Sequence, residues 1–172
     1  MEIAATGIAV FKDFFIRSEE VIDLAENSPN WRQGTAGQGT DPKVRITDMH
    51  DLDASTEIHA DILETFVSGI NEYQKKYSHC HIKGGEHLRV GRYSVGGHYS
   101  LHSEASGSER ILSGLLYLNS DFKGGELNFP NQDVKITPEE GMLVLFPSNF
   151  LFSHESLPLT EGRKYVIVSW FS

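Results

Sequence analysis

The second half of the chain is a succession of short apolar runs separated by glycine, proline, asparagine or aspartate. Seven such runs follow residue 86: LRVGRYSV, ILSGLLYLN, ELNF, VKI, MLVLFP, FLFSH and KYVIVSWF. Short runs rich in branched and aromatic residues, bounded by turn-forming residues, are typical of β-strands. Their number predicts a sandwich or a barrel for this half of the chain.

The first half of the chain shows helical periodicity instead. Residues 18–27, SEEVIDLAEN, suggest a helix with Ser18 as its N-cap, preceded by a strand at residues 8–15. Between Ser55 and Tyr77 apolar residues recur at intervals of three and four, which predicts the longest helix. Its predicted buried face consists of Ile58, Ile62, Phe66, Ile70, Tyr73 and Tyr77, widened by Leu63 and Val67.

The segment between these two helices, residues 31–48, contains little apolar material that could anchor it. It is rich in glycine, threonine and polar side chains, so we predict a mobile loop. Helices followed by many strands predict a mainly β protein of the α+β class, with the helices covering one sheet. A length of 172 residues suits a single domain with one proper core.

Charge and cysteine content argue against several classes of function. A net charge of −9 does not suit an extended surface for nucleic acid or anionic membrane, although a local basic pocket is compatible with it. No apolar stretch approaches the roughly 20 residues that span a bilayer. The single cysteine, Cys80, has no internal disulfide partner, and the N-terminus lacks a signal-peptide pattern. We therefore expect a cytoplasmic protein without nucleic-acid or membrane partners; its oligomeric state is not indicated.

The stretch GRYSVGGHYSLHSE, residues 91–104, places a histidine close to a carboxylate. His102 and Glu104 are two residues apart, so on an extended strand both side chains would leave the same face. His154 ends the apolar run FPSNFLFSH, and a strand of the opposing sheet could bring it across. Two histidines and one carboxylate on one face of a metal form the facial arrangement of non-haem iron(II) oxygenases, which leaves positions open for cosubstrate and oxygen.

A buried cation is predicted in the last apolar run. Strand alternation in KYVIVSWF puts Lys164 on the same face as Val166, Val168 and Trp170. Burial of an ammonium group without a partner is costly, and an anion would relieve that cost. The carboxylate of a cosubstrate is a natural candidate for that anion.

Together these features resemble the iron(II)/2-oxoglutarate dioxygenases, and specifically the prolyl 4-hydroxylase branch of the soluble bacterial or viral type. The resemblance rests on the order and spacing of many elements over residues 86–171. These elements are Tyr93, Gly96, Gly97, Tyr99, His102, Arg110, Asn119 at the end of LLYLN, Gly124 to Glu126, Pro138 to Gly141, His154 and Lys164. The implied fold is a double-stranded β-helix, or jelly roll. Within a single domain of residues 1–172, residues 1–85 would form the helical support and lid loop, and residues 86–172 the catalytic core.

The resemblance also implies the cofactors and the role of each site residue. His102, Glu104 and His154 would be the catalytic iron(II) ligands. The cosubstrate pocket for 2-oxoglutarate would be lined by Tyr93, Leu127, Lys164 and Trp170, with Lys164 binding the distal carboxylate. Tyr99 and Arg110 are candidates for contact with the substrate.

The reaction implied is hydroxylation of a C–H bond, most directly of a prolyl residue in a peptide or protein. Oxygen and 2-oxoglutarate would be consumed and succinate and CO2 released, with ascorbate as a candidate reductant. Residues 31–48 would act as a lid over the substrate.

Two positions depart from the family pattern. Glu104 stands where the family usually has aspartate, so its carboxylate reaches further by about one carbon–carbon bond while keeping charge and ligand type. Leu127 follows GGE where some relatives place a hydroxyl group. An apolar contact to the cosubstrate is expected there.

Three alternatives remain open from the sequence. One is a hydroxylase of a free amino acid or another small molecule. The second is a jelly-roll binding module without turnover, which failure of Glu104 to bind iron would favour. The third is a cupin-like metal enzyme that ignores 2-oxoglutarate, for which Lys164 would have no role.

Overall fold

A computed structural model of the chain describes residues 1–36, 39–105 and 109–172. Its helices are α1 (Ser18–Glu26) and α2 (Glu57–Lys76), with 3-10 helices at Pro130–Gln132 and Phe150–Phe152. Neither α1 nor α2 combines the length and apolar character needed to cross a membrane. The strands are β1 (Glu2–Ala5), β2 (Ile8–Phe11), β3 (Arg32–Gln33), β4 (Arg45–Ile46), β5 (Asp48–Asp51), β6 (Arg89–Tyr93), β7 (His98–His102), β8 (Leu112–Tyr117), β9 (Lys123–Gly124), β10 (Leu127–Phe129), β11 (Val134–Ile136), β12 (Leu143–Pro147), β13 (His154–Ser156), β14 (Leu159–Glu161) and β15 (Lys164–Phe171).

Most strands belong to two antiparallel sheets. The larger sheet has the order β1-β2-β12-β8-β15-β6-β5-β3, and the smaller has the order β11-β10-β13-β7-β4. Strands β14 and β9 form a separate two-stranded ribbon. This arrangement is a jelly roll without a closed barrel, so the predicted fold class, mainly β with helices from the first half of the chain, is confirmed.

The larger sheet is buried on both faces, as the alternation along its central strands shows. Val144 and Phe146 of β12 belong to the core shared with the smaller sheet, together with Phe129 of β10. Leu143 and Leu145 of the same strand belong to the core beneath the helices. The two faces of one strand therefore pack in two different apolar cores. This explains why the runs in the second half of the chain are almost continuously apolar.

Helix α2 forms as its periodicity predicts, but with a narrower buried face. The Thr56 hydroxyl caps the helix by accepting a hydrogen bond from the backbone N–H of His59 at 3.3 Å. Leu63 and Val67, expected to widen the buried stripe, are 42% and 46% exposed, so that part of the prediction is wrong. The helix lies on a sheet on one side only, and a single stripe is enough to cover that contact. The buried residues include Ile58, Ile62, Phe66, Ile70 and Tyr73.

Helix α1 is confirmed, whereas its predicted cap is wrong. Ser18 is the first helical residue, and Arg17 occupies the cap position without a side-chain cap hydrogen bond. The Arg17 guanidinium instead binds Glu20 and Glu57, which fixes the start of the helix. The Ser18 side chain is therefore turned into the core, where its hydroxyl has no hydrogen-bond partner among the described residues.

The first half contributes five of the described strands as well as both helices, more than the sequence indicated. The expectation that residues 31–48 lack regular structure is wrong in part, because β3 pairs with β5 and β4 pairs with β7. Backbone hydrogen bonds anchor this segment where apolar side chains are few. Gly37 and Gln38, within the same prediction, lie outside the described residues.

One apolar run in the second half is also not the strand that was expected. In FLFSH, residues 150–152 form a 3-10 helix, and strand β13 begins only at His154. The Asn149 side chain accepts a hydrogen bond from the backbone N–H of Leu151, which starts the 3-10 turn in place of an extended conformation.

Close approach of α2 to the sheet gives a test of this packing. A Cβ atom on Gly114 of β8 would lie 2.6 Å from Cε1 of the buried Phe66 ring. We therefore expect Gly114→Ala to lower the free energy of unfolding by about 1–3 kcal/mol in denaturant titration, because the extra carbon overpacks the core. Gly84→Ala is the matched control, since a Cβ there meets nothing within 4 Å. Equal stability of the two variants would contradict this packing.

Candidate active site

The pairing of β7 with β13 brings two distant histidines together. His102 and His154 are register partners across the two antiparallel strands, and their ring centroids are 4.4 Å apart. The chain turns directly after His102, and the backbone N–H of Glu104 donates to the carbonyl of Ser148 at 3.1 Å. This turn places the Glu104 carboxylate beside both imidazoles although Glu104 lies beyond the end of the strand.

The three side chains point their ligand atoms at one place. Oε1 of Glu104 is 3.4 Å from Nε2 of His102 and 3.5 Å from Nε2 of His154. One ligand atom from each residue lies within 4.8 Å of the others. The extra methylene of glutamate therefore does not carry the carboxylate away from the histidines.

The hydrogen bonds and charges of this triad suit a divalent metal. Nδ1 of His102 contacts the Ser100 carbonyl at 2.8 Å, and Nδ1 of His154 contacts the Phe152 carbonyl at 3.1 Å. A carbonyl only accepts hydrogen bonds, so each Nδ1 carries a proton, and Nε2 is the ring atom that faces the shared point.

Burial and hydrogen bonding set the charge state of this triad. Burial lowers the pKa of His154, which favours the neutral, metal-binding form. Burial alone would raise the pKa of Glu104, but the hydrogen bonds with His102 and His154 outweigh it and hold that pKa well below its usual range. Two imidazole nitrogens and one carboxylate oxygen therefore match the donor set of iron(II).

A cavity of about 320 Å³ opens next to the triad. All the site residues proposed from the sequence line it: Tyr93, Tyr99, His102, Glu104, Arg110, Leu127, His154, Lys164 and Trp170. Cavity residues that were not predicted from the sequence include Thr35, Arg45 and Ser156. Ser156 follows His154 by two residues on β13, so strand alternation could have identified it. Thr35 and Arg45 belong to the segment interpreted as a loop, where no pattern indicated their direction.

Lys164 is a buried cation whose hydrogen-bond partners in the described part of the chain are neutral groups. The residue is 2% exposed, and its Nζ donates to the carbonyl of Gly125 at 2.7 Å and to the hydroxyl of Ser156 at 2.6 Å. The ammonium also lies 4.3 Å from the centroid of the Tyr93 ring. Burial lowers the pKa of Lys164 to about 7, opposed weakly by the negative charge of Glu126. An anion beside Nζ would stabilise the charged form, which makes this end of the cavity a carboxylate site.

The glycine turn GGE makes room for that lysine. Gly125 has a φ of +70°, and a Cβ atom there would lie 2.9 Å from the Leu159 side chain and 3.2 Å from Nζ of Lys164. The turn therefore needs glycine for its backbone conformation and for the lysine beside it.

Arg110 connects Glu104 to the aromatic wall of the cavity. Its guanidinium binds both carboxylate oxygens of Glu86, at 2.5 and 2.7 Å, and donates to the backbone carbonyl of Glu104 at 3.2 Å. It lies 3.8 Å from the centroid of the Trp170 ring. The doubly bound guanidinium is a rigid support for the chain at Glu104.

Tyr99 packs directly on a proposed metal ligand. Its ring stacks on the His102 imidazole with centroids 3.5 Å apart and an interplanar angle of 15°. The Arg45 guanidinium covers the Tyr99 ring at 4.4 Å. His98, four residues before His102, instead contacts the carbonyls of Gly96 and Lys43 and does not line the cavity.

Comparison with known proteins agrees with this site. Residues 88–172 match the 2OG-Fe(II) oxygenase superfamily, and the match includes the whole triad and Lys164. Prolyl 4-hydroxylase 2 of Arabidopsis thaliana is 28% identical over 144 residues, which cover 62% of this chain and 48% of that protein. The chain thus spans about half the length of this relative.

Two solved structures share the fold. A viral collagen prolyl hydroxylase from Paramecium Bursaria Chlorella virus-1, in complex with 2OG, gives a TM-score of 0.76 at 20% identity, covering 96% of this chain and 95% of that one. A Trichoplax adhaerens prolyl hydroxylase bound to a peptide of hypoxia inducible factor gives 0.80 at 23% identity, covering 96% and 83%. With the triad, the buried lysine and the matched residues, the chain belongs to the 2OG-Fe(II) oxygenase superfamily and is of the prolyl 4-hydroxylase-like type.

Proposed function

We propose that this protein is an iron(II)- and 2-oxoglutarate-dependent dioxygenase that hydroxylates a prolyl residue in a peptide or protein. In that reaction the substrate C–H bond, O2 and 2-oxoglutarate give the C–OH product, succinate and CO2. The observation that carries the proposal is the presence, in one cavity, of a facial triad and a buried lysine with no carboxylate partner among the described residues. The triad would bind a metal, and the lysine would bind a dianionic cosubstrate.

His102, Glu104 and His154 would hold the iron, and Lys164 with Ser156 would hold the distal carboxylate of 2-oxoglutarate. Bound iron(II) supplies the electrons that allow O2 to react with 2-oxoglutarate and the substrate. The protein itself would position the iron and the cosubstrate and set the polarity around them. Leu127 is buried and presents an apolar surface, which excludes water from the cosubstrate.

The supporting shell keeps the ligands in place. The Ser100 and Phe152 carbonyls fix the two imidazoles, and Arg110 supports the chain at Glu104. Tyr99 on one side of His102 limits its rotation. These contacts preorganise a metal site, which is what the family chemistry requires of the protein.

Peptidyl proline is the substrate class that the relatives support. The Arabidopsis relative is named a prolyl 4-hydroxylase, and the Trichoplax structure holds a peptide. Thr35 and Arg45, which line the cavity, would contact such a peptide. A cytoplasmic location stays a prediction from the sequence.

Turnover on proline-containing peptides tests the function. With iron(II), 2-oxoglutarate, oxygen and ascorbate, we expect succinate to form together with a peptide heavier by one oxygen atom, as measured by mass spectrometry. His102→Ala should reduce both products at least about a hundredfold, because a ligand is lost. His98→Ala, on the same strand but outside the cavity, is the matched control and should retain turnover. Loss of turnover in both variants, or hydroxylation that does not need 2-oxoglutarate, would contradict the proposal.

The lowered pKa of Lys164 predicts a pH dependence for cosubstrate binding. The ammonium form binds the carboxylate, and in the ligand-free protein that form disappears as the pH rises through about 7. We therefore expect the Kd of 2-oxoglutarate, measured anaerobically by calorimetry on the metal-loaded protein, to rise by up to about tenfold per pH unit between pH 7 and 9. Lys164→Met should bind weakly over the whole range.

Lys164→Arg keeps the positive charge at this position but removes its titration from the pH range of this measurement. A guanidinium stays charged above pH 12, so the variant should lose the pH dependence whatever its absolute affinity. Parallel pH profiles for wild type and Lys164→Arg would show that another group causes the dependence.

A further inference from the structure

The cavity is strongly basic although the protein is acidic. Four cationic side chains line it, namely Arg45, Arg89, Arg110 and Lys164, against one carboxylate, Glu104. The whole chain carries a net charge of −9. Such a local excess of positive charge attracts anions. A cation is available to bind an incoming anion only where no carboxylate of the protein already pairs with it.

Two of the three arginines lie beside a carboxylate of the protein. Arg110 is bound by both oxygens of Glu86, and Arg89 lies 3.2 Å from the carboxylate of Asp51. Arg110 thus has its own counter-charge, and Arg89 shares the charge of Asp51 with Arg32. Both side chains help to shape the cavity, and both lie over the Trp170 ring.

Arg45 has no such counter-charge. Among the described residues no carboxylate lies within 4.0 Å of its guanidinium. Its N–H groups contact the Thr47 hydroxyl at 2.8 Å, the Thr35 carbonyl at 2.9 Å and the Met49 sulfur at 2.9 Å, all uncharged. The Tyr99 ring below it orients the cation without neutralising it. Arg45 and Lys164 are thus both cations that line the cavity without an acidic partner among the residues that the structure describes.

The position of Arg45 relates it to the reacting centre. Its guanidinium covers one face of Tyr99, whose other contact is the stacked imidazole of His102. The same aromatic ring therefore contacts both the cation and a proposed iron ligand. Arg45 is half-buried and its neighbour Thr35 is exposed, whereas Lys164 is fully buried. Arg45 marks the outer end of the cavity and Lys164 the inner end.

We propose that Arg45 binds a carboxylate of the substrate, so that the preferred substrate is acidic close to the residue that is hydroxylated. This inference rests on the proposed function. Under that function the two carboxylates of 2-oxoglutarate are taken by the metal and by Lys164, which leaves Arg45 for an anion of a different molecule. Thr35 and Thr47, which hold the guanidinium, restrict its orientation and make it a fixed site rather than a freely moving surface charge.

The carboxylate can come from an acidic side chain next to the proline or from a free C-terminus. Three sets of probes distinguish these sources: peptides with Asp or Asn flanking the proline, peptides ending at proline as the acid or the amide, and free L-proline. For the correct source we expect kcat/KM of wild type, followed by succinate and hydroxylated product, to be at least about tenfold higher for the acid than for its amide isostere.

Variants of Arg45 assign that preference to one side chain. Arg45→Gln should abolish the preference by raising KM for the acid alone, while the Kd of 2-oxoglutarate stays as in wild type. Arg45→Lys should restore part of the preference. Arg32→Gln is the matched control, because it removes the same charge from β3, outside the cavity, and should keep the preference.

The outcomes separate this inference from the function on which it rests. If wild type hydroxylates acid and amide probes equally well, or if Arg45→Gln lowers turnover of both alike, Arg45 is a structural residue and the inference is overturned. If wild type neither binds 2-oxoglutarate nor consumes it with any probe, the proposed function fails, and the inference with it.

Discussion

The antiparallel pairing of β7 with β13 is the contact on which the site depends. It places His102 opposite His154, and a slip of one residue would turn one imidazole to the other face of the sheet. The register is supported from both sides, because β10 pairs with β13 and β4 pairs with β7. The proposed metal site is therefore a consequence of the order of strands in the smaller sheet.

The cations at the two ends of the cavity, Lys164 and Arg45, suit different anions. Lys164 has no hydrogen-bonded carboxylate among the described residues and is buried, so its charged form costs stability that a bound carboxylate would offset. Arg45 lies at the outer end on the Tyr99 ring. The inner cation suits a small dianion that is sealed from water, and the outer cation suits a group on a larger molecule that arrives afterwards.

Much of the fold and site follows from sequence pattern, and the exceptions have physical reasons. The apolar runs predicted six strands correctly, and the alternation of Lys164 with Trp170 placed both at the cavity. Two-residue strands such as β4 carry no pattern of their own and depend on a partner strand, so residues 31–48 were interpreted as a loop. Arg45 was missed for the same reason. The position of Glu104 beside both histidines depends on a turn after β7, which spacing alone does not fix.

The most direct test of the site is anaerobic addition of iron(II) and 2-oxoglutarate to the metal-free protein. The iron–cosubstrate chelate has a weak visible charge-transfer band that requires both partners in one cavity. We expect this band in wild type and its loss in Glu104→Ala, with both proteins folded by circular dichroism. A folded wild type without the band, or a band that survives in Glu104→Ala, would contradict a site built from His102, Glu104 and His154.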